Sequence, residues 1–270
     1  MTSDATNKKP GDWSGGKGIL PGRETFGPLA LMATTPAFSI VMFHVNTQMN
    51  SDFVAFAKLC MENGLFQTIY DVWPTPWDPT VWKMILGFMV FEAILQRWMP
   101  GKEFVATLTP KGNRPVYKAN GMASYLFTLA TLLACSYMGI FRPALVYDKF
   151  GEILSSMNVF ALLFCVMLLI KGNFAPSTTD SGTTGNFIID FWWGTELYPR
   201  IFGWDVKMFT NCRIGMMYWA VGILCYAAKN IEVNDGKLQI GMFVNVALQI
   251  IYITKFFHWE VSYRNIPIFS

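Results

Sequence analysis

The chain has 270 residues, of which 53% are hydrophobic and only 14% charged, against about 25% charged residues in an average soluble domain. Lipid is therefore its expected solvent. The net charge of +3 is too small to point to nucleic acid. Five cysteines without CxxC or CxxH spacing, and only His44 and His258, argue against a metal centre or a disulfide framework.

Residues 1–26 open the chain as a polar, Gly-rich tail without the apolar core of a signal peptide. The rest, 27–270, is expected to be one membrane domain. A run of mostly apolar residues then covers 27–46, close to the ~20 residues that a span requires. Residues 53–70 are apolar but broken by Lys58, Glu62 and Gly64, and are expected to lie along the membrane surface rather than through it. The stretch "DVWPTPWDPTVW" places three Pro beside three Trp. Proline fixes the turn, and tryptophan favours the membrane interface.

The second run, 81–99, contains Glu92. An ionisable group inside a span costs ~3 kcal/mol on insertion scales, so it should face the bundle or a wet cavity. Either it contacts substrate or a proton, or it makes an interhelical hydrogen bond with Asn120 or Asn158. Turn residues Gly112, Asn113 and Pro115 mark a tight connection, and Asn120 is placed to cap the third run, 121–140. Further runs cover 152–171, 213–229 and 239–259. None shows the period-2 alternation of a barrel strand, so the expected fold is all-α: a polytopic membrane protein of about six helices. Lys and Arg sum to 15 on the segments facing one side and 6 on the other. This split predicts a cytoplasmic N-terminus and, with six spans, a cytoplasmic C-terminus.

The long connection between the fourth and fifth runs ends in "FIIDFWWGTELYPRIFGWDVK". Its first part reads as a short helix closed by Pro199. Helical spacing would place Asp190 with Gly194, Trp192 with Glu196, and Glu196 with Arg200. Asp190, Glu196, Arg200 and Asp205 are expected to pair with one another, either as a plug on the cytoplasmic face or as one wall of a ligand pocket.

These residues resemble the sterol reductase family of integral membrane enzymes. The family signature maps onto Asp190, Trp192, Gly194, Glu196, Pro199 and Arg200, with Trp192 where Phe is frequent and Tyr198 where Asn is usual. The second departure is similar to the plant-type sterol Δ7-reductases. So are the blocks "FEAILQRWMPGK", "TPKGNRPVYKANG", "GIFRPALVYDKFGEI" and "IYITKFFHWE". The resemblance runs from about residue 27 to 265. It implies part of a ten-helix fold in the endoplasmic reticulum membrane. The implied activity is NADPH-dependent reduction of the C7–C8 double bond of a Δ5,7-sterol. It also implies that this chain is the N-terminal portion, with no cofactor-binding residue of its own. Sterol and membrane lipid are the expected partners, with a C-terminal half or other sterol-pathway enzymes beside them, and no nucleic acid. The substrate-pocket candidates are Glu92, Glu196, Arg200, Glu260 and Tyr263; the last two lie near the region the family uses for substrate and proton delivery. The alternatives are an inactive sterol-binding or partner-binding protein on the same scaffold, or a Δ14-sterol reductase.

Overall fold

The computed structural model describes residues 23–105, 116–177, 187–193, 195–196 and 199–262. Its first helices are α1 (Arg23–Gln48), α2 (Phe53–Asn63), α3 (Leu65–Asp71) and α4 (Pro79–Trp98). An antiparallel pair follows, β1 (Lys102–Val105) and β2 (Val116–Ala119), with Lys102 opposite Ala119 and Val105 opposite Val116. Next come α5 (Gly121–Tyr137), α6 (Ala144–Asp148), α7 (Phe150–Phe174) and α8 (Phe187–Trp193). Two-residue strands β3 (Arg200–Ile201) and β4 (Trp204–Asp205) lead to α9 (Val206–Met208) and a π-helical turn at Phe209–Ile214. The described chain closes with α10 (Gly215–Val233) and α11 (Ile240–Ser262). The strand pair β1–β2 was not foreseen from sequence. The turn residues Gly112, Asn113 and Pro115 lie outside the described residues.

Helix is the dominant element because lipid leaves the backbone no other donor or acceptor. Among the described residues, four helices are long and apolar enough to cross a membrane: Leu29–Gln48, Pro79–Trp98, Phe150–Phe174 and Ile240–His258. They match four of the six expected spans. The third expected span is shorter than anticipated: α5 has 17 residues and rises ~25 Å, under the ~30 Å of a hydrocarbon core. The fifth is α10, whose 19 residues end in a turn bearing Asn230 and Glu232. The outward faces carry Phe38, Leu133, Leu162, Leu248 and Ile251, all exposed, as surfaces bathed in lipid require.

Two compact units organise the chain. The first combines the segment ending at Val81 with Gly151–Gly203. Here α1 and α7 approach so closely that a Cβ on Gly151 would meet Phe43 Cε1 at 2.6 Å. The Pro- and Trp-rich turn is tied to α7 by two hydrogen bonds. Trp73 Nε1 donates to Ser155 Oγ at 2.7 Å, and Ser156 Oγ donates to the Pro76 carbonyl at 2.9 Å. Trp73 therefore does more than prefer an interface. The segment read as one surface stretch is two short helices. Asp52 caps α2 by accepting from the Ala55 N–H at 2.8 Å, and Gly64, at φ 85°, separates α2 from α3.

The second unit combines Trp82–Phe150 with the chain from Trp204 onward. Its core is Tyr125 from α5, Met217 and Ala220 from α10, and Ile253 and Phe257 from α11. The Tyr125 and Phe257 rings stack with centroids 5.1 Å apart, and the Tyr125 hydroxyl lies 3.1 Å from Thr254 Oγ1. At one end, Arg142 donates from Nε to Glu232 at 2.9 Å and pairs with Asp148 at 3.0 Å. Lys229 holds the other Asp148 oxygen at 2.6 Å. Hydrogen bonding from Lys229, helped by Arg142, keeps the Asp148 carboxyl below its ordinary range.

Candidate functional site

Two groups of buried polar side chains, one in each unit, contain the candidate residues Glu196 and Glu92. In the first unit the site begins at the end of α7. Glu196 is 1% exposed, and its Oε2 lies 2.6 Å from the ammonium of Lys171. The backbone N–H of Ser177 donates to Oε1 of the same carboxylate. Lys171 also donates to the Ala175 carbonyl at 2.9 Å and to the Ser177 hydroxyl. Ser177 Oγ in turn donates to the Arg200 carbonyl and accepts from the Arg200 N–H, both at 2.9 Å. A carboxylate this far from water is tolerated only when paired and hydrogen-bonded, and Glu196 is both. Lys171 sits in the last turn of α7, where the helix dipole favours a cation. The neighbouring Gly172 makes room for Thr195: a Cβ there would fall 1.6 Å from Thr195 Oγ1.

This arrangement corrects the helical reading of the signature. Helix α8 stops at Trp193, so Glu196 shares no helix face with Trp192. Arg200 lies in an extended strand, where four-residue spacing does not bring side chains together; its Nη1 donates to the Gly203 carbonyl at 3.3 Å. Tertiary packing of Thr195 and Glu196 on α7 overrides the local helical pattern. Asp190, on α8, is buried, as is Pro199; Trp192 is half-buried. Gly194 and Tyr198 lie outside the described residues.

Asp205 belongs to the second unit. Its Oδ2 accepts from the Tyr117 hydroxyl at 2.8 Å and its Oδ1 from the Met208 N–H at 2.9 Å. It joins β2 to α9 through neutral donors, where a charge pair was expected.

The second gathering lies between α4 and α5. Glu92 is fully buried. Thr128 Oγ1 donates to its Oε1 at 2.5 Å, taking the place of the two asparagines the sequence reading named. Asn120 begins α5, but its side chain makes no capping bond. Its amide instead donates to the carbonyls of Gln96 at 2.8 Å and Met99 at 3.1 Å, closing the end of α4. Arg213, 5% exposed, donates from Nη2 to Asn120 Oδ1 at 2.7 Å. A π-helical turn carries Arg213. Such turns recur at functional sites because they redirect one side chain off the helical track.

Sequence reasoning singled out Glu92, Glu196 and Arg200; the first belongs to the second unit and the other two to the first. Lys171, Ser177, Thr128 and Arg213 were missed as site members. The signal for α5 was available: Asn120, Ser124 and Thr128 recur every four residues along the helix and its cap. Glu260 falls on α11, with its side chain outside the described residues, and Tyr263 lies wholly outside them.

Comparison with known proteins matches residues 21–262 to the model of the ergosterol biosynthesis ERG4/ERG24 family. A 7-dehydrocholesterol reductase of Arabidopsis thaliana is 48% identical over 238 residues, 88% of this chain and 54% of that protein. A probable 7-dehydrocholesterol reductase of Acanthamoeba polyphaga mimivirus is 32% identical over 74% of this chain and 47% of its own length. A Delta(14)-sterol reductase of Methylotuvimicrobium alcaliphilum is 32% identical over 67% of this chain and 43% of its own. The chain spans about half the length of the curated relatives it matches.

Proposed function

Since the chain belongs to the ergosterol biosynthesis ERG4/ERG24 family of sterol reductases, we propose that it takes part in the NADPH-dependent reduction of the C7–C8 double bond of a Δ5,7-sterol. The observation that carries this reading is the 48% identity to a plant 7-dehydrocholesterol reductase across 88% of the chain. A second reading, reduction of a Δ14 bond, draws on the Delta(14)-sterol reductases among the relatives, one at 32% identity. We place the protein in the endoplasmic reticulum membrane with its N-terminus in the cytoplasm.

Either reaction requires a flat apolar sterol, a hydride and a proton. The described apolar helices suit the first requirement, since ligand pockets are mostly apolar with a few placed polar groups. NADPH would supply the hydride. Three cations are engaged by side chains of this chain: the ammonium of Lys171 bonds to Glu196, Arg213 to Asn120, and Arg142 to Glu232 and Asp148. Cofactor binding is therefore assigned to groups other than these. In this reading Glu196 and Arg200 shape the cytoplasmic wall of the substrate region, and Glu92 is a polar contact within the bundle.

The test is sterol conversion in reconstituted membranes, with NADPH in excess and products separated by chromatography. Each substrate, a Δ5,7-sterol and a Δ14-sterol, is supplied in turn. The chain alone is expected to give no conversion, and co-expression with the C-terminal half of the Arabidopsis relative is expected to restore reduction at C7. Reduction of the Δ14-sterol only would move the assignment to the second reading. Turnover by the 270 residues alone would show that the cofactor is held within them.

A further inference from the structure

The polar contacts between α4 and α5 set a register. Thr128 meets Glu92, and one helix end away Asn120 meets the carbonyls of Gln96 and Met99. The helices run antiparallel, so one turn back along α5 from Thr128 and one turn on along α4 from Glu92 brings Ser124 opposite Gln96. Three atoms on these positions, Glu92 Oε2, Gln96 Oε1 and Ser124 Oγ, are buried without a hydrogen-bond partner among the described residues. Glu92 and Ser124 are both fully buried. Polar groups in that condition recur where a further molecule completes the set.

We propose that this stretch of α4 and α5 is a binding site for a hydroxyl group. The three atoms specify what it must do. Glu92 Oε2 and Gln96 Oε1 call for a donor, and Ser124 Oγ offers a donor of its own. A hydroxyl donates to the carboxylate and accepts from the serine with one oxygen, and a water can use its second hydrogen for Gln96 Oε1 as well. An anion is repelled by Glu92, and a purely apolar group leaves all three atoms unmet. Arg213 bonds to Asn120 at one end of the ladder, and Thr128 bonds to Glu92 at the other. Both orient the site. Two sources carry this chemistry, an internal water and the 3-hydroxyl of a sterol. The sterol source rests on the proposed function; the water source does not.

The experiment uses the 270-residue chain in nanodiscs and separates the sources. Binding of a 3-hydroxysterol and of its 3-deoxy analogue is measured by competition, for the wild type and for S124A. If the sterol supplies the hydroxyl, the deoxy analogue binds the wild type about tenfold more weakly, and S124A removes the difference. If water supplies it, the two sterols bind alike. The infrared carboxyl band that disappears in E92Q then shifts between wild type and S124A, and again on exchange into D2O. Q96L replaces S124A should the latter not fold. Equal binding of both sterols, together with a Glu92 band indifferent to S124A and to Q96L, overturns the proposal. Absence of any sterol binding speaks against the sterol reading alone, because the infrared arm still decides the site.

Discussion

The ammonium of Lys171 lies 2.6 Å from the carboxylate of Glu196, with the two side chains 12% and 1% exposed. The residues are 25 apart in sequence, and the pair fastens the signature segment to the end of α7. Breaking a buried pair from one side leaves a charge without compensation and costs ~3–5 kcal/mol. K171A is therefore expected to lower the melting temperature in detergent sharply. The double variant K171M/E196L, which removes both charges and keeps the volume, is expected to lie much nearer the wild type. Equal losses in the two variants would show that the ion pair is not what holds the segment.

Gly172 and Thr195 form the steric half of the same junction. A methyl group on Gly172 meets Thr195 Oγ1 at 1.6 Å and its Cβ at 3.0 Å. Overpacking of this kind costs ~1–3 kcal/mol. G172A is expected to destabilise, and adding T195A should recover part of the loss, because the hydroxyl is the nearer obstacle. Thermal unfolding of the two single variants and the double completes the cycle. Strict additivity would mean that the two residues do not meet.

The cluster at the end of α10 should respond to acid. Asp148 has its carboxyl held below the ordinary value of 3.8 by hydrogen bonding from Lys229, with Arg142 adding to it. A depressed folded value means that the stabilisation is complete above pH ~4 and fades as the pH falls through the folded value. The groups are largely exposed, so the effect is small and screened by salt. The melting temperatures of wild type and D148N should differ at pH 6 and converge once the pH has fallen below the lowered folded value of Asp148. A gap that persists at low pH would assign the difference to packing.

Orientation follows from the 15 to 6 division of Lys and Arg. In a background freed of the five native cysteines, a cysteine at position 113 should react with an impermeant reagent only from the cytoplasmic side. A cysteine at Tyr137, which is 95% exposed at the end of α5, should react from the opposite side. Labelling of both positions from one side would refute the topology.

Much of this protein was legible without coordinates. The charge deficit and the apolar runs specify helices in lipid, because the backbone has no other partner there. The same physics marks Glu92 and the polar segment around Glu196 as residues that must find company. Helix ends agree with the expected runs to within four residues, since hydropathy averages over a window and blurs where a helix stops. Which company each polar group keeps was a matter for tertiary structure. Thr128 is 36 residues from Glu92, and Arg213 is 93 from Asn120. The sequence offered nearer candidates, including Arg200, four residues beyond Glu196. Local spacing favours such neighbours only while a helix continues. Once α8 ends at Trp193, the partners are chosen by packing of distant helices, and a buried charge takes whichever opposite group that packing delivers.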